Sequence, residues 1–265
     1  MQRDEFEGSE GRISYHAWRN HSAPIRIVIL THGYAEHGAR YAHVAESLAD
    51  DGAAVYAEDH IGHGHSDGER ALITDFEHVV DDLHTLVGIA RRAQPDIPVV
   101  MVGHSMGGLL TARYVQRHPA SLAGAGFLGA VLGNWKWARE ALRLPELPQE
   151  TNEPSGMSRD VHAAAGYEHD PLIYHGAYKR PLLEAEVVAL DRFDAEIDRL
   201  SLPVLLLHGS DDPFVPPGDS VDAVLRMPSK DKEIRVFPGA RHELVHEINR
   251  TEVVDVLRRW IERVT

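Results

Sequence analysis

The stretch Val99-Val100-Met101-Val102-Gly103-His104-Ser105-Met106-Gly107-Gly108 decides how the chain is read. An unbroken apolar run meets a sharp glycine-flanked turn carrying a serine, and Leu109 to His118 continues as a helix. Strand, turn and helix in that order is the context in which G-x-S-x-G marks a nucleophile elbow. A run apolar throughout suits a central parallel strand buried on both faces. Gly103 and Gly107 lack a Cβ, so strand and helix can come close while Ser105 takes a strained backbone conformation. The turn lifts the hydroxyl above the sheet edge and sets it at a helix N-terminus, where free N–H groups favour negative charge.

On the N-terminal side, Ile13 to Trp18 alternates apolar and polar residues as an early antiparallel strand would. Ile25 to Leu30 and Ala53 to Ala57 read as buried strands, and Tyr41 to Leu48 as a helix closed by Asp50-Asp51-Gly52. Phe76, Val79, Val80, Leu83, Leu86, Val87 and Ala90 keep a helical spacing that Pro95 ends. On the C-terminal side Ala125 to Leu132 reads as another strand. Strands alternating with helices predict an α/β fold with a mostly parallel central sheet flanked by helices. The rhythm breaks near Gly133. From Asn134 to about Arg199 there is no clean strand, and prolines at 145, 148, 154, 171 and 181 cut the segment into short pieces. A helical cap inserted between two strands is expected over 134–199, with residues 1–133 and 200–265 forming the core. The rhythm returns with strands at Pro203 to Leu207 and Glu233 to Phe237, a helix at Ser220 to Met227, and a closing helix marked by Val253, Leu257, Trp260, Ile261 and Val264.

At 265 residues, one large α/β domain with an insertion is comfortable. The formal charge of −14 argues against nucleic acid and against strong attraction to anionic membranes. Cysteine is absent, which excludes disulfides, a cysteine nucleophile and thiolate metal sites. No window approaches the roughly 18 consecutive apolar residues of a membrane span. Met1 to Gly11 is too polar for a signal peptide, so a soluble, cytoplasmic protein is expected. The turn Asp59-His60-Ile61-Gly62-His63-Gly64-His65-Ser66 raises the question of a metal. Alternating Gly and His offers ligands no rigid element, so the expectation is a turn whose histidines are solvated or hydrogen-bonded, with no metal.

A serine hydroxyl needs a general base, and the base needs an orienting acid. In elbow hydrolases the order is Ser, then Asp or Glu, then His, each on a loop after a strand. The strand ending at Leu207 exits into His208-Gly209-Ser210-Asp211-Asp212-Pro213, and the last strand exits into Pro238-Gly239-Ala240-Arg241-His242-Glu243. Ser105 would attack and His242 would carry the proton. Either Asp211 or Asp212 would orient the imidazole, since the neighbours point in different directions. The N–H of Met106, and that of Tyr34 in the loop after His32-Gly33, are placed to form an oxyanion hole. The chemistry needs no metal or organic cofactor. Trp135, Trp137 and Leu142 open the insertion. They are candidates for the wall of an acyl-binding pocket, against the plainer reading that they pack the cap onto the core.

Three motifs resemble the monoacylglycerol lipase (lysophospholipase-like) family of serine α/β-hydrolases: His32-Gly33-Tyr34-Ala35-Glu36-His37-Gly38-Ala39-Arg40-Tyr41, the turn Asp59 to Arg70, and Gly-His-Ser-Met-Gly-Gly. His208-Gly209-x-x-Asp212 and His242-Glu243 extend the likeness over nearly the whole chain. The resemblance implies an α/β-hydrolase fold, a nucleophile Ser105, a base His242, Asp212 as the acid, Tyr34 and Met106 as oxyanion donors, and a cap over an acyl tunnel. It also places Glu36 and Arg40 near the glycerol end of the pocket, although physically the two could simply pair and brace their loop. Asp170-Pro171-Leu172 resembles a piece of the family cap. Ala35 stands where a glycine is common, and the start of the cap follows no family pattern. The expected activity is hydrolysis of monoacylglycerols or similar single-chain lipid esters through an acyl-enzyme. The partner is a small lipid ester, not nucleic acid, with at most transient membrane contact through the cap; the oligomeric state is left open. The alternatives are a short-chain esterase, lysophospholipase or thioesterase, or an inactive hydrolase-fold receptor or scaffold.

Overall fold

The structure is a computed structural model that describes residues 1–19, 23–149 and 153–265. Its frame is an eight-stranded sheet in the order β1-β2-β4-β3-β5-β6-β7-β8. The strands are β1 (Gln2–Glu7), β2 (Arg12–Trp18), β3 (Arg26–Thr31), β4 (Ala53–Glu58), β5 (Val99–His104), β6 (Gly124–Leu128), β7 (Val204–Gly209) and β8 (Lys232–Phe237). β2 pairs antiparallel with β1 and β4, and every other pairing is parallel.

The elbow strand β5 lies between β3 and β6 and is buried along its whole length. Its period of two divides it between two layers. Val99 and Met101 join a core cluster with α2 (Phe76–Ala93), α3 (Met106–Arg117) and α8 (Pro217–Arg226). Val100 and Val102 join another with α1 (Ala42–Asp50) and α9 (Arg250–Val264). Helices therefore cover both faces of the sheet, as parallel strands require. From β3 the chain crosses to β4 on one side, while β5 lies on the other, so the strand order reverses between β3 and β5. In open α/β sheets ligands bind at such a reversal, beyond the carboxyl ends of the strands. Tyr34 follows β3 and Ser105 follows β5, so both stand at that point.

Between β6 and β7 the described residues form no strand; they hold α4 (Lys136–Ala141), α5 (Pro154–Met157), α6 (Val161–His169), α7 (Arg180–Ala195) and a short 3-10 turn at Ile197–Arg199. α7 packs against α2 and α3, within the helical layer beneath. Among the described residues no helix is long and apolar enough to cross a membrane.

Two segments differ from the sequence reading. β1, in a stretch read only as polar, is an exposed edge strand on β2. It needs backbone pairing rather than an apolar face, and its charged side chains suit an unpaired edge. The strand expected to run to Leu132 ends at Leu128. Gly129 takes φ +51° and turns the chain aside, and the N–H of Val131 then donates to the Ser105 carbonyl at 3.0 Å.

Candidate active site

The elbow is closely built. Ser105 has φ +53°, a left-handed conformation costly for a residue with a Cβ. A Cβ on Gly103 would overlap the Gly107 carbonyl, and one on Gly107 would overlap the Thr31 and His32 carbonyls. Only glycine allows strand and helix this near. The Thr31 hydroxyl braces the junction, 2.9 Å from both the Gly107 carbonyl oxygen and Thr111 Oγ1.

Above the carboxyl ends of the strands, Ser105 Oγ lies 3.0 Å from His242 Nε2, and His242 Nδ1 lies 2.7 Å from Asp212 Oδ2. All three side chains are buried. The N–H groups of Phe214 and Val215 donate to Asp212 Oδ1 at 2.9 and 3.0 Å, so this carboxylate is oriented by its own loop. Burial works to raise the Asp212 pKa, but attraction to His242 and hydrogen bonds with His208 and His242 outweigh it. The carboxyl is held well below the usual range and stays ionised. Asp211 is exposed and accepts from the Ser210 hydroxyl at 2.7 Å, apart from the imidazole.

Met106 is the first residue of α3, where backbone N–H groups have no partner within the helix. The loop bearing Tyr34 is held by Glu36. Glu36 Oε1 accepts from the Gly33 N–H, the Tyr41 hydroxyl and His104 Nδ1, each at 2.8 Å. Glu36 Oε2 accepts from Arg40 Nη1 at 2.7 Å, and Arg40 also bridges both oxygens of Glu243. Burial opposes every charge here, but the pairings win. Glu36 and Glu243 are held low by Arg40 and, for Glu36, by the His104 hydrogen bond, while His104 is raised by Glu36. Two carboxylates, a guanidinium and an imidazole thus form a charge-paired buried group one residue from Ser105 and one from His242. His104 Nε2 also lies 3.3 Å from the His242 carbonyl. Both Nη groups of Arg40 are engaged in this bracing, while Glu36 and Glu243 also line the cavity over Ser105.

That cavity measures about 30 Å³ and is walled by Tyr34, Val131, Trp135, Tyr178, Phe214 and Met157, among others. It holds a water or two and no acyl chain. Trp135 lines it, whereas Trp137 and Leu142 do not; those two are partly buried and pack on the main core. The Tyr34 and Tyr178 rings stack at 4.0 Å, and Trp137 lies 5.5 Å behind Tyr178. Asp170 ties the insertion to the loop bearing Tyr34: its Oδ2 is 2.9 Å from His37 Nε2, and nearby the Tyr174 N–H donates to the Ala35 carbonyl at 2.9 Å. Ala35, in the place of a common glycine, has φ +68°.

The histidine-rich turn is a buried pillar beneath this loop. His32, His60 and His63 cluster, with the first two rings 4.0 Å apart. Burial lowers His60 and His63 to about 4, so both are neutral at pH 7. The His60 N–H donates to His32 Nε2 at 2.9 Å, leaving His32 Nδ1–H to donate to the Gly33 carbonyl at 2.8 Å. His65 alone of the turn's three is exposed.

Sequence reasoning missed Val131, Met157, Tyr167, Tyr178 and Phe214 as cavity walls. Phe214 follows the acid by two residues and could have been found there. Tyr167 and Tyr178 lie in a segment without periodicity, and nothing local marks them.

The family model described as "Serine aminopeptidase, S33" matches residues 22–249. The monoacylglycerol lipase of Mycolicibacterium smegmatis is 34% identical over 97% of this chain and 95% of its own. The monoglyceride lipase of Homo sapiens is 31% identical over 94% of this chain and 86% of its own. The crystal structure of Paleococcus ferrophilus monoacylglycerol lipase superposes with a TM-score of 0.82 at 26% identity, covering 96% of this chain and 99% of that one. The chain is a serine hydrolase and belongs to the monoacylglycerol lipase family of serine α/β-hydrolases.

Proposed function

We propose that the chain hydrolyses monoacylglycerols to glycerol and fatty acid, with Ser105 as nucleophile, His242 as general base and Asp212 as its orienting acid. The unbroken hydrogen-bonded line Ser105–His242–Asp212 carries the reading. The relatives named for monoacylglycerol favour an ester over the peptide bond in the family model's description. His242 accepts the Ser105 proton as Oγ adds to the ester carbonyl, and the oxyanion is received by the N–H groups of Tyr34 and Met106. Collapse expels the alcohol, which takes the proton from His242 and leaves an acyl-serine. His242 then deprotonates water, and the reverse sequence releases the acid. Each oxyanion donor contributes on the order of 3 kcal/mol to lowering the barrier.

The insertion at 134–199 acts as the cap, with α5 and α6 as its moving part and α4 and α7 packed into the main core. Ligand pockets run to roughly 300–1,000 Å³, so the cavity of about 30 Å³ belongs to a closed state and the cap opens to admit substrate. Exposed Leu144 and Val161 on the insertion offer transient contact with a lipid aggregate. The small cavity also favours one second reading, a short-chain esterase. A kcat/KM panel of monoacylglycerols and nitrophenyl esters across chain lengths, with a lysophospholipid and a diacylglycerol as controls, tests the proposal. Long-chain monoacylglycerols should lead, and a maximum at acetate or butyrate would replace this reading with the second.

A further inference from the structure

Glu58 is a buried acid that the mechanism above does not use. It ends β4, directly before the histidine-rich turn, and is fully enclosed. Its Oε1 lies 3.1 Å from His60 Nδ1, and its Oε2 has no hydrogen-bond partner among the described residues. On the far side of the same ring, His60 Nε2 lies 3.1 Å from the His32 carbonyl oxygen. The His60 backbone N–H donates to His32 Nε2 at 2.9 Å, and His32 Nδ1 lies 2.8 Å from the Gly33 carbonyl oxygen. A line of hydrogen bonds thus runs from Glu58 through two imidazoles to the Gly33–Tyr34 peptide. Gly33 itself passes against the nucleophile: a Cβ there would stand 3.0 Å from the Ser105 Cβ.

The partners fix where the hydrogens sit. A carbonyl oxygen only accepts, so His60 Nε2 and His32 Nδ1 each carry one. A backbone N–H only donates, so His32 Nε2 is bare. With its hydrogen on Nε2, a neutral His60 offers Nδ1 as an acceptor, and Glu58 must meet it as a carboxylic acid. Burial beside Asp82 and Asp59 raises Glu58 well above the ordinary carboxylate range, and burial lowers His60 to about 4, so the shared proton rests on Glu58. The neighbouring acids are engaged elsewhere: Asp59 accepts from the Gly38 and His65 N–H groups, and Asp82 from Ser9. Burial keeps His32 and His63 neutral as well. The Gly33–Tyr34 peptide is trans, so its C=O and N–H point to opposite sides. Drawing the carbonyl to the His32 ring turns the Tyr34 N–H away from that ring, and this N–H donates to no acceptor among the described residues.

We propose that protonated Glu58 is a positioning residue for oxyanion stabilisation: by donating to His60 it holds the His60–His32 pair in the tautomers that aim the Tyr34 N–H at the reacting carbonyl. The proposal rests on the reading of Tyr34 as an oxyanion donor. Glu58 bonds to His60 and not to the triad, so it acts on the reaction only through the two imidazoles. An ionised Glu58 would draw the hydrogen to His60 Nδ1 and leave Nε2 bare against the His32 carbonyl, with two acceptors face to face.

The first readout needs neither a variant nor turnover. Nitrogen NMR of imidazole-labelled wild type at neutral pH should show His60 neutral with hydrogen on Nε2, and His32 neutral with hydrogen on Nδ1. An imidazolium at His60, or hydrogen on its Nδ1, would overturn the proposal. The second readout compares wild type, Glu58→Leu and Glu58→Gln on p-nitrophenyl decanoate. Glu58→Leu removes the donor and should lower kcat about 10-fold at unchanged KM, part of the roughly 10²–10³-fold that losing a whole oxyanion donor costs. Glu58→Gln, whose amide N–H still donates to Nδ1, should keep kcat near the wild-type value. A decyl trifluoromethyl ketone, which forms an oxyanion on serine, should bind about 10-fold more weakly to Glu58→Leu, while the matching alcohol binds as before. A merely structural Glu58 would lower Tm in both variants and leave kcat unchanged, or would weaken ketone and alcohol alike, and either result overturns the proposal. The Tyr34 amide signal should move in Glu58→Leu and stay in place in Glu58→Gln. If kcat is unchanged although that signal moves, the reading of Tyr34 as donor has failed and takes the proposal with it; if the signal is also unmoved, the positioning itself is refuted. If no ester is cleaved and Ser105 resists fluorophosphonate, the hydrolase reading fails by itself, while the tautomers and the Tyr34 signal still decide whether Glu58 positions that N–H.

Discussion

Single residues carry the sharpest expectations. Ser105→Ala should fold, lose esterase activity by several orders of magnitude and no longer react with fluorophosphonate; substantial residual turnover would reject the nucleophile. Asp212→Asn should cost on the order of 10⁴-fold in kcat by fixing the wrong His242 tautomer. Asp211→Asn should cost little, since Asp211 is exposed and bonded to Ser210. Arg40 is the hinge of the charge-paired buried group, so Arg40→Met leaves two carboxylates buried together. It should destabilise by about 3–5 kcal/mol in urea titration, whereas a loss confined to substrate affinity would mark Arg40 as a substrate contact instead. Glu186 is fully buried on α7, and that burial gives a pH signature. The native protein keeps its proton to about pH 8, while the unfolded chain releases it near the usual value of ~4.3. Between these limits unfolding releases a proton, so stability falls as pH rises and levels off above about 8. Glu186→Gln should flatten that part of the urea-midpoint profile, and an unchanged slope would mean the carboxyl is ionised in the native state.

At the scale of elements, legibility follows how each element is stabilised. β5, β7 and their loops could be read because strands buried on both faces are written in continuous apolar residues, and Ser105, Asp212 and His242 each stand just beyond a strand. β1 could not, because an edge strand held by backbone pairing leaves no apolar signature. The end of β6 was misplaced for a different reason. Ala130 to Leu132 are buried and apolar like a strand, but Gly129 turns them toward the elbow. The insertion was legible as a break in rhythm, yet its cavity-facing residues were not, since Tyr167 and Tyr178 are selected by tertiary contacts. The Trp135, Trp137 and Leu142 group divides accordingly. Trp137→Ala and Leu142→Ala remove packing against the core and should lower stability by about 2–5 kcal/mol while slowing all chain lengths alike. Trp135→Ala opens the cavity wall and should change KM selectively for long-chain esters. If all three behaved identically in a chain-length panel and in Tm, this division of roles would fall.

On the capping role proposed for the insertion, the governing quantity for the whole molecule is the fraction of time the cap stands open. A closed cavity of about 30 Å³ admits no acyl chain, so on that proposal every turnover draws on an open state. Apparent reactivity of Ser105 toward a bulky reagent is then its intrinsic reactivity multiplied by the open fraction. Among the polar ties that hold the insertion down are Asp170 to His37, and Lys179 to Glu69 at 2.6 Å. They differ in position. The first reaches the oxyanion loop beside Tyr34, while the second joins the insertion to the loop after the histidine-rich turn. Lys179 is partly exposed, so its tie contributes about 0–1 kcal/mol, and the more buried Asp170–His37 pair contributes more. Breaking either should shift the population toward open without touching the nucleophile. Asp170→Asn and Lys179→Gln should therefore both speed labelling of Ser105 by a long-chain fluorophosphonate severalfold, with Tm reduced only slightly. Labelling by a reagent small enough for the closed cavity should be unaffected. Lys179→Gln is the critical member of the pair, since acceleration by Asp170→Asn alone would trace to a disturbed oxyanion loop and would exclude cap opening as the step these ties control.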